Sequence, residues 1–250
     1  MSVHQRIQSE NPTALRPASP PRAAPLVSVR GLTKTYETPA GVFHALRGVD
    51  LDVSSGEFVS VVGRSGCGKS TLVNMITGLD RPTSGEVAVG GVDLIAMSES
   101  ERSRWRGSNL GIVFQFFQLL PMLTLLQNVM LPMDLANYLP LDHRPARARQ
   151  LLDAVGLAAV ADEPPGSVSG GQQQCAAVAR ALATDPPLMV ADEPTGNLDS
   201  SSAERILALF DALHREGKTI IMVTHDPQMA ARASRRLTMN DGWIVADDLL

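Results

Sequence analysis

The octapeptide Gly63-Arg64-Ser65-Gly66-Cys67-Gly68-Lys69-Ser70 fits the spacing G-x-x-x-x-G-K-[ST]. It stands between the apolar run VSVV and the apolar-periodic segment TLVNMI, so it demands a strand before it and a helix after it. Glycines let the backbone curl until its amide N–H groups face inward around phosphate oxygens. A helix beginning near Lys69 adds the positive end of its dipole. Lys69 would then reach the β and γ phosphates of a nucleoside triphosphate, and the Ser70 hydroxyl would ligate Mg²⁺. A chance glycine turn is the blander reading; it is opposed by the order of strand, loop, lysine, hydroxyl and helix. Cys67 reads as a small side chain tolerated at a variable position of the loop rather than a redox centre.

The rest of the chain leaves room for such a site and excludes other classes. With 250 residues, 44% of them hydrophobic, it can bury the core of one large domain carrying an insertion. A net charge of -4 provides no global basic field, so nucleic acid is not an expected partner, although HRPARAR (143–149) is a local basic patch. The two cysteines, Cys67 and Cys175, have no metal-ligand spacing, which argues against zinc or a disulfide framework and for a reducing compartment such as the cytosol. Residues 1–25, rich in proline, alanine and serine, read as a flexible tail. The stretch between Arg106 and Asp134 carries no charged residue and is long enough to cross a membrane. Its Gln115, Gln118, Gln127, Asn128, Pro121 and Pro132 would be costly against lipid, so it reads as a soluble apolar surface.

Short β-prone runs broken by glycine turns fill the region from Leu26 to Gly63. From Ser98 to about Arg180 the pattern turns helical, with apolar residues at three- and four-residue steps and Gly156 as a stop. Buried strands return as PLMVAD (187–192) and KTIIMVTH (218–225), separated by the amphipathic helix SAERILALFDALHREG. Asn240-Asp241-Gly242 between two β-prone runs predicts a terminal hairpin.

Carboxylates at a strand end can serve a phosphate-bound metal. Asp192 and Glu193 directly follow an apolar run, and adjacent residues project in different directions, so Asp192 can hold Mg²⁺ while Glu193 faces the attacking water. A solvated acidic turn is the alternative. His225, at the carboxyl end of the third apolar strand, is placed to touch the γ phosphate. Gln115, in IVFQFF, follows a short apolar strand and could ligate Mg²⁺ or the attacking water.

Together, GRSGCGKST with Thr71 as its last residue, Gln115, VSGGQ, LMVADE, GNLD and His225 resemble the nucleotide-binding subunit of an ABC transporter, over roughly Leu26 to Val245. The resemblance implies an α/β fold: a P-loop NTPase (RecA-like) core with an antiparallel β subdomain and an inserted α-helical subdomain at about 98–180. It implies ATP and Mg²⁺ as cofactors and a homodimer through an ATP sandwich. In that sandwich Ser169, Gly170, Gly171 and Gln172 cap the nucleotide held by the partner copy; a helix start that merely caps itself is the plainer account. Tyr36 matches the adenine-stacking aromatic, and the loop from Gly196 to Asp199 matches the one that crosses the dimer interface. The surface beginning at Phe116 and Phe117 resembles the groove for an integral membrane permease subunit, which places the chain on the inner face of the cell membrane. GLDRPTSGEV, FQFFQLLP and ADEPTGNLD are similar to ATPases of the lipoprotein-release, macrolide-export and cell-division group, where ATP drives export or mechanotransmission.

Two departures stand out: Val168 where the family has leucine, and Cys175 where it commonly has arginine, so that a bidentate cation is lost. A soluble ABC ATPase of DNA repair or translation is the competing function; the long coiled-coil insertion, zinc modules or second nucleotide domain usual there are not visible. A P-loop kinase or GTPase would leave the VSGGQ stretch unexplained.

Overall fold

The computed structural model describes residues 24–39, 41–196 and 198–250; nearly all of the expected tail lies outside them. The chain opens with β1 (Val27–Thr38), β2 (Gly41–Val53) and β3 (Phe58–Val62), followed by α1 (Lys69–Ile76), β4 (Ser84–Val89) and β5 (Val92–Asp93). Next come α2 (Glu99–Asn109), β6 (Leu110–Val113), α3 (Leu125–Ala136), α4 (Arg144–Ala154) and α5 (Gly170–Ala181). The last third holds β7 (Leu188–Asp192), α6 (Ser200–Arg215), β8 (Thr219–Val223), α7 (Pro227–Ala230), β9 (Arg235–Asn240) and β10 (Trp243–Leu249).

Two sheets result. One has the order β2-β1-β4-β5 and is antiparallel throughout; the other has the order β10-β9-β3-β8-β7-β6, parallel except for β10. The central strands are apolar on both faces, as the continuous runs in the sequence require. Met189, Ala191, Ile220 and Met222 point into a core shared with α3, α4, α5 and α6. Leu188, Val190, Ile221 and Val223 alternate to the other side, against α1 and the antiparallel sheet. The parallel sheet is thus the middle layer, and its carboxyl edge is where α1 begins. The Asn240-Asp241-Gly242 hairpin forms as expected, with Asp241 and Gly242 both at positive φ, 46° and 82°.

One strand interrupts the range expected to be helical. Residues 110–113 pair with β7 as the edge of the core sheet. Gly111 permits that fit, since a Cβ there would lie 2.3 Å from Met189 Sδ and 2.5 Å from the Ala181 carbonyl oxygen. The strand is the short apolar one expected ahead of Gln115, set within a region whose remaining pattern is helical. Beyond it, α3, α4 and α5 pack on one another. The connection into α3 turns on Asn128, fully buried, whose side chain accepts from Leu120 N and donates to the carbonyls of Leu120, Leu123 and Thr124. Among the described residues no helix is long and apolar enough to cross a membrane.

Candidate nucleotide site

The glycine loop joins β3 to α1, and two of its glycines are fixed by close approach. A Cβ on Gly63 would lie 2.3 Å from the Met239 carbonyl oxygen, and one on Gly68 would lie 2.4 Å from that of Ala45, both with positive φ. Gly68 is also the N-cap of α1 and brings no side chain to its first amides. By contrast, Ser98, Thr124, Ser169 and Asp199 cap α2, α3, α5 and α6 with side-chain oxygens. The first-turn N–H groups of α1 are therefore left to an external acceptor, which is how a helix start holds an anion. Lys69, 7% exposed, donates from Nζ to the carbonyls of Gly63 (2.9 Å) and Arg64 (3.1 Å), curling the loop around its own ammonium.

This loop forms one wall of a cleft of about 540 Å³. Ser65, Gly66, Gly68, Lys69, Ser70 and Thr71 line it together with Gln115, Asp192, Glu193 and His225, which reach it from the carboxyl ends of β6, β7 and β8. Topology brings these distant segments together because the three strands are parallel and adjacent. Cys67 is buried beneath the loop rather than facing the cleft, as a small packing residue would be.

Asp192 and Glu193 separate as expected. Burial pushes the Asp192 carboxyl above its ordinary range, while a hydrogen bond from Ser70 works against that shift. Its Oδ1 is buried with no hydrogen-bond partner among the described residues. An orphaned carboxylate oxygen beside a serine hydroxyl is a hard-oxygen donor set that fits Mg²⁺. Glu193 lies just past β7 at φ 49°, held by its amide N–H donating to the Val223 carbonyl (2.9 Å). Its Oε2 meets His225 Nδ1 at 2.5 Å. His225 sits two residues beyond β8 rather than ending it.

The remaining expected residues do not line this cleft. Ser169, Gly170, Gly171 and Gln172 start α5, where Ser169 and Gln172 form a reciprocal capping box. Gly171 abuts α6: a Cβ there would lie 2.3 Å from Ser202 Oγ. Asp199 caps α6, and hydrogen bonds from Ser201 Oγ and from Ser202 N and Oγ hold its carboxyl far below the usual range. Tyr36 also lies outside this lining. Its hydroxyl is tied to Asp80 Oδ2 at 3.0 Å, and the Lys34 ammonium lies 4.8 Å from its ring centroid. The aromatic ring that lines the cleft belongs instead to Phe43, Tyr36's register partner on β2. Cys175 is buried in the helical core, where desolvation raises its thiol pKa, so it packs as an apolar side chain.

Sequence reasoning also missed Gln174 and Arg180. Gln174 Nε2 donates to the Phe114 carbonyl (3.2 Å), and Arg180 donates to those of Gln118 (2.6 Å) and Phe117 (3.0 Å), fastening α5 to the segment that carries Gln115. Phe116, Leu120 and Met122 stand exposed beside this junction.

Residues 46–196 match the ABC transporter family. The lipoprotein-releasing system ATP-binding protein LolD of Anaeromyxobacter dehalogenans is 47% identical over 91% of this chain and 95% of its own length. The macrolide export ATP-binding/permease protein MacB 1/2 of Paracoccus denitrificans is 45% identical over 90% of this chain, which spans only 33% of that larger protein. Among solved structures, a dimeric bacterial ABC transporter cassette superposes with a TM-score of 0.85 at 40% identity, covering 90% of this chain and 98% of that one. The same cassette in a dimeric post-hydrolysis state bound to ADP and Pi gives a TM-score of 0.84 at 39% identity, with the same coverage.

Proposed function

This chain belongs to the ABC transporter family as an ATP-hydrolysing cassette, and we propose that two copies pair head to tail around ATP to drive a membrane permease. One observation carries the reading: the phosphate cleft and the glycine-bearing start of α5 are both present, yet Ser169 to Gln172 do not line that cleft. A second copy turned end to end satisfies both, each contributing its α5 amides and the Ser169 hydroxyl to the phosphates held by the other. Asp199 and the loop from Gly196 then lie along the seam.

In this reading Ser70, Asp192 and Gln115 would hold Mg²⁺, which would supply charge neutralisation at the phosphoryl group being transferred. Lys69 and the loop amides cradle the β and γ phosphates. Glu193 takes the proton of the attacking water, and His225, in contact with its carboxylate, orients it and faces the γ phosphate. The exposed Phe116, Leu120 and Met122 offer the permease an apolar seat on the inner face of the membrane. Similarity to lipoprotein-releasing and macrolide-export proteins favours export or mechanotransmission as the work done.

Purification from native membranes tests the partner: a co-purifying integral membrane protein is the expected result, whereas recovery on ribosomes or DNA would favour the soluble alternative. Pairing is tested at Gly171. Gly171→Ala drives a methyl into Ser202, an overpacking worth about 1–3 kcal/mol. That cost falls on each copy's own fold, but the displaced start of α5 is the face offered to the partner, so ATP-dependent dimers, measured by size-exclusion chromatography with light scattering, should weaken while single copies still bind ATP.

A further inference from the structure

We propose that Met229 is a positioning residue for hydrolysis: its thioether ties the loop carrying Glu193 to the loop carrying His225. The inference rests on the reading of those two residues given above and adds the group that holds them in place. Met229 lies on α7, is 2% exposed and packs in the core shared with α5 and α6. Its Sδ accepts hydrogen bonds from two hydroxyls, those of Thr195 and Thr224. Thr195 stands two residues after Glu193, and Thr224 directly precedes His225. One sulfur atom therefore sits at the root of both loops.

The backbone leaves this task open. β7 and β8 run in register as far as Asp192 and Val223, and among the described residues the last backbone hydrogen bond between the two loops runs from Glu193 N to the Val223 carbonyl. Glu193 then turns away at φ 49°, while the other loop enters α7 through the Asp226 cap. The hydroxyl of Thr224, itself 2% exposed, accepts from Asp226 N at 3.0 Å, so its single proton is left for the sulfur at 3.5 Å. α7 is in turn anchored to β3, the strand that enters the glycine loop: the fully buried Ser60 Oγ donates to the Ala230 carbonyl at 3.2 Å. The sulfur is thus fixed relative to the phosphate loop and fixes the Glu193 and His225 loops relative to each other. Proton transfer from an attacking water depends on that placement. An alkyl side chain of the same size would fill the space and hold neither hydroxyl.

The test compares Met229→Leu with the parent full chain, since leucine nearly conserves the volume and lacks the acceptor. The kcat for ATP hydrolysis should fall about three- to tenfold, the worth of one hydrogen bond of ordinary net strength, with KM for ATP unchanged and the fold intact by circular dichroism. Thr195→Val should lower kcat similarly, and adding Met229→Leu to it should cost far less than Met229→Leu costs in the parent, as coupled residues require. Parental kcat in Met229→Leu, or the same fold-loss whether or not the Thr195 hydroxyl is present, would overturn the assignment. Parental turnover in Glu193→Gln would instead strike at the reading of Glu193 as the base, through which the sulfur acts.

Discussion

Glu193→Gln is expected to cut steady-state ATP hydrolysis by about 10²–10⁴-fold, the usual contribution of a positioned general base. The substitution keeps the shape of the side chain and removes its ability to take a proton. Nothing else at the position needs to change: the backbone is held by the 2.9 Å bond from Glu193 N to the Val223 carbonyl, and an amide can still meet His225 Nδ1. ATP binding and ATP-dependent pairing should survive, because the cradle of Gly63 to Thr71 is untouched. Phosphate release and light scattering on one sample distinguish the two effects. A variant that turns over at the parental rate would remove Glu193 from the chemistry.

Lys69→Ala should abolish measurable nucleotide binding under conditions where the parent saturates. The ammonium is nearly buried and held in the loop by the Gly63 and Arg64 carbonyls, from which its donors can turn to the β and γ phosphates when nucleotide arrives. Hydrogen bonds to a charged group contribute about 1.5–3 kcal/mol each, and losing two to phosphate oxygens weakens ATP by about 10²-fold or more. Circular dichroism should show an intact fold, while ATP should raise the melting temperature of the parent and leave that of the variant where it is. An unaltered ATP-induced shift in Lys69→Ala would contradict the role.

Much of this site was legible because its signals are local. The glycine loop, the apolar strands ahead of Asp192 and His225 and the Asp241-Gly242 turn each announce themselves within ten residues, and each forms where the pattern places it. What the pattern hid depends on residues far apart in sequence. Phe43 reaches the cleft through its pairing with Tyr36 and a crossing between two sheets. Gln174 and Arg180 look like ordinary helix residues until their partners, sixty positions earlier, are known. The family resemblance named Tyr36 and Asp199, but local sequence could not show that Tyr36 is tied to Asp80 or that Asp199 serves as a helix cap, whereas the self-capping start at Ser169 was readable from its own residues.

The fastening of α5 has a mechanical consequence. Gln174 and Arg180 grip residues 114–118 by their carbonyls, and Phe117 lies against Gly170, where a Cβ would stand 3.5 Å from its ring. Tilting α5 without dragging that strip of backbone would break three hydrogen bonds and strip a phenyl ring of its packing. A push arriving at either end of this rod is thus handed to the other, like a rocker arm whose two tips cannot travel separately.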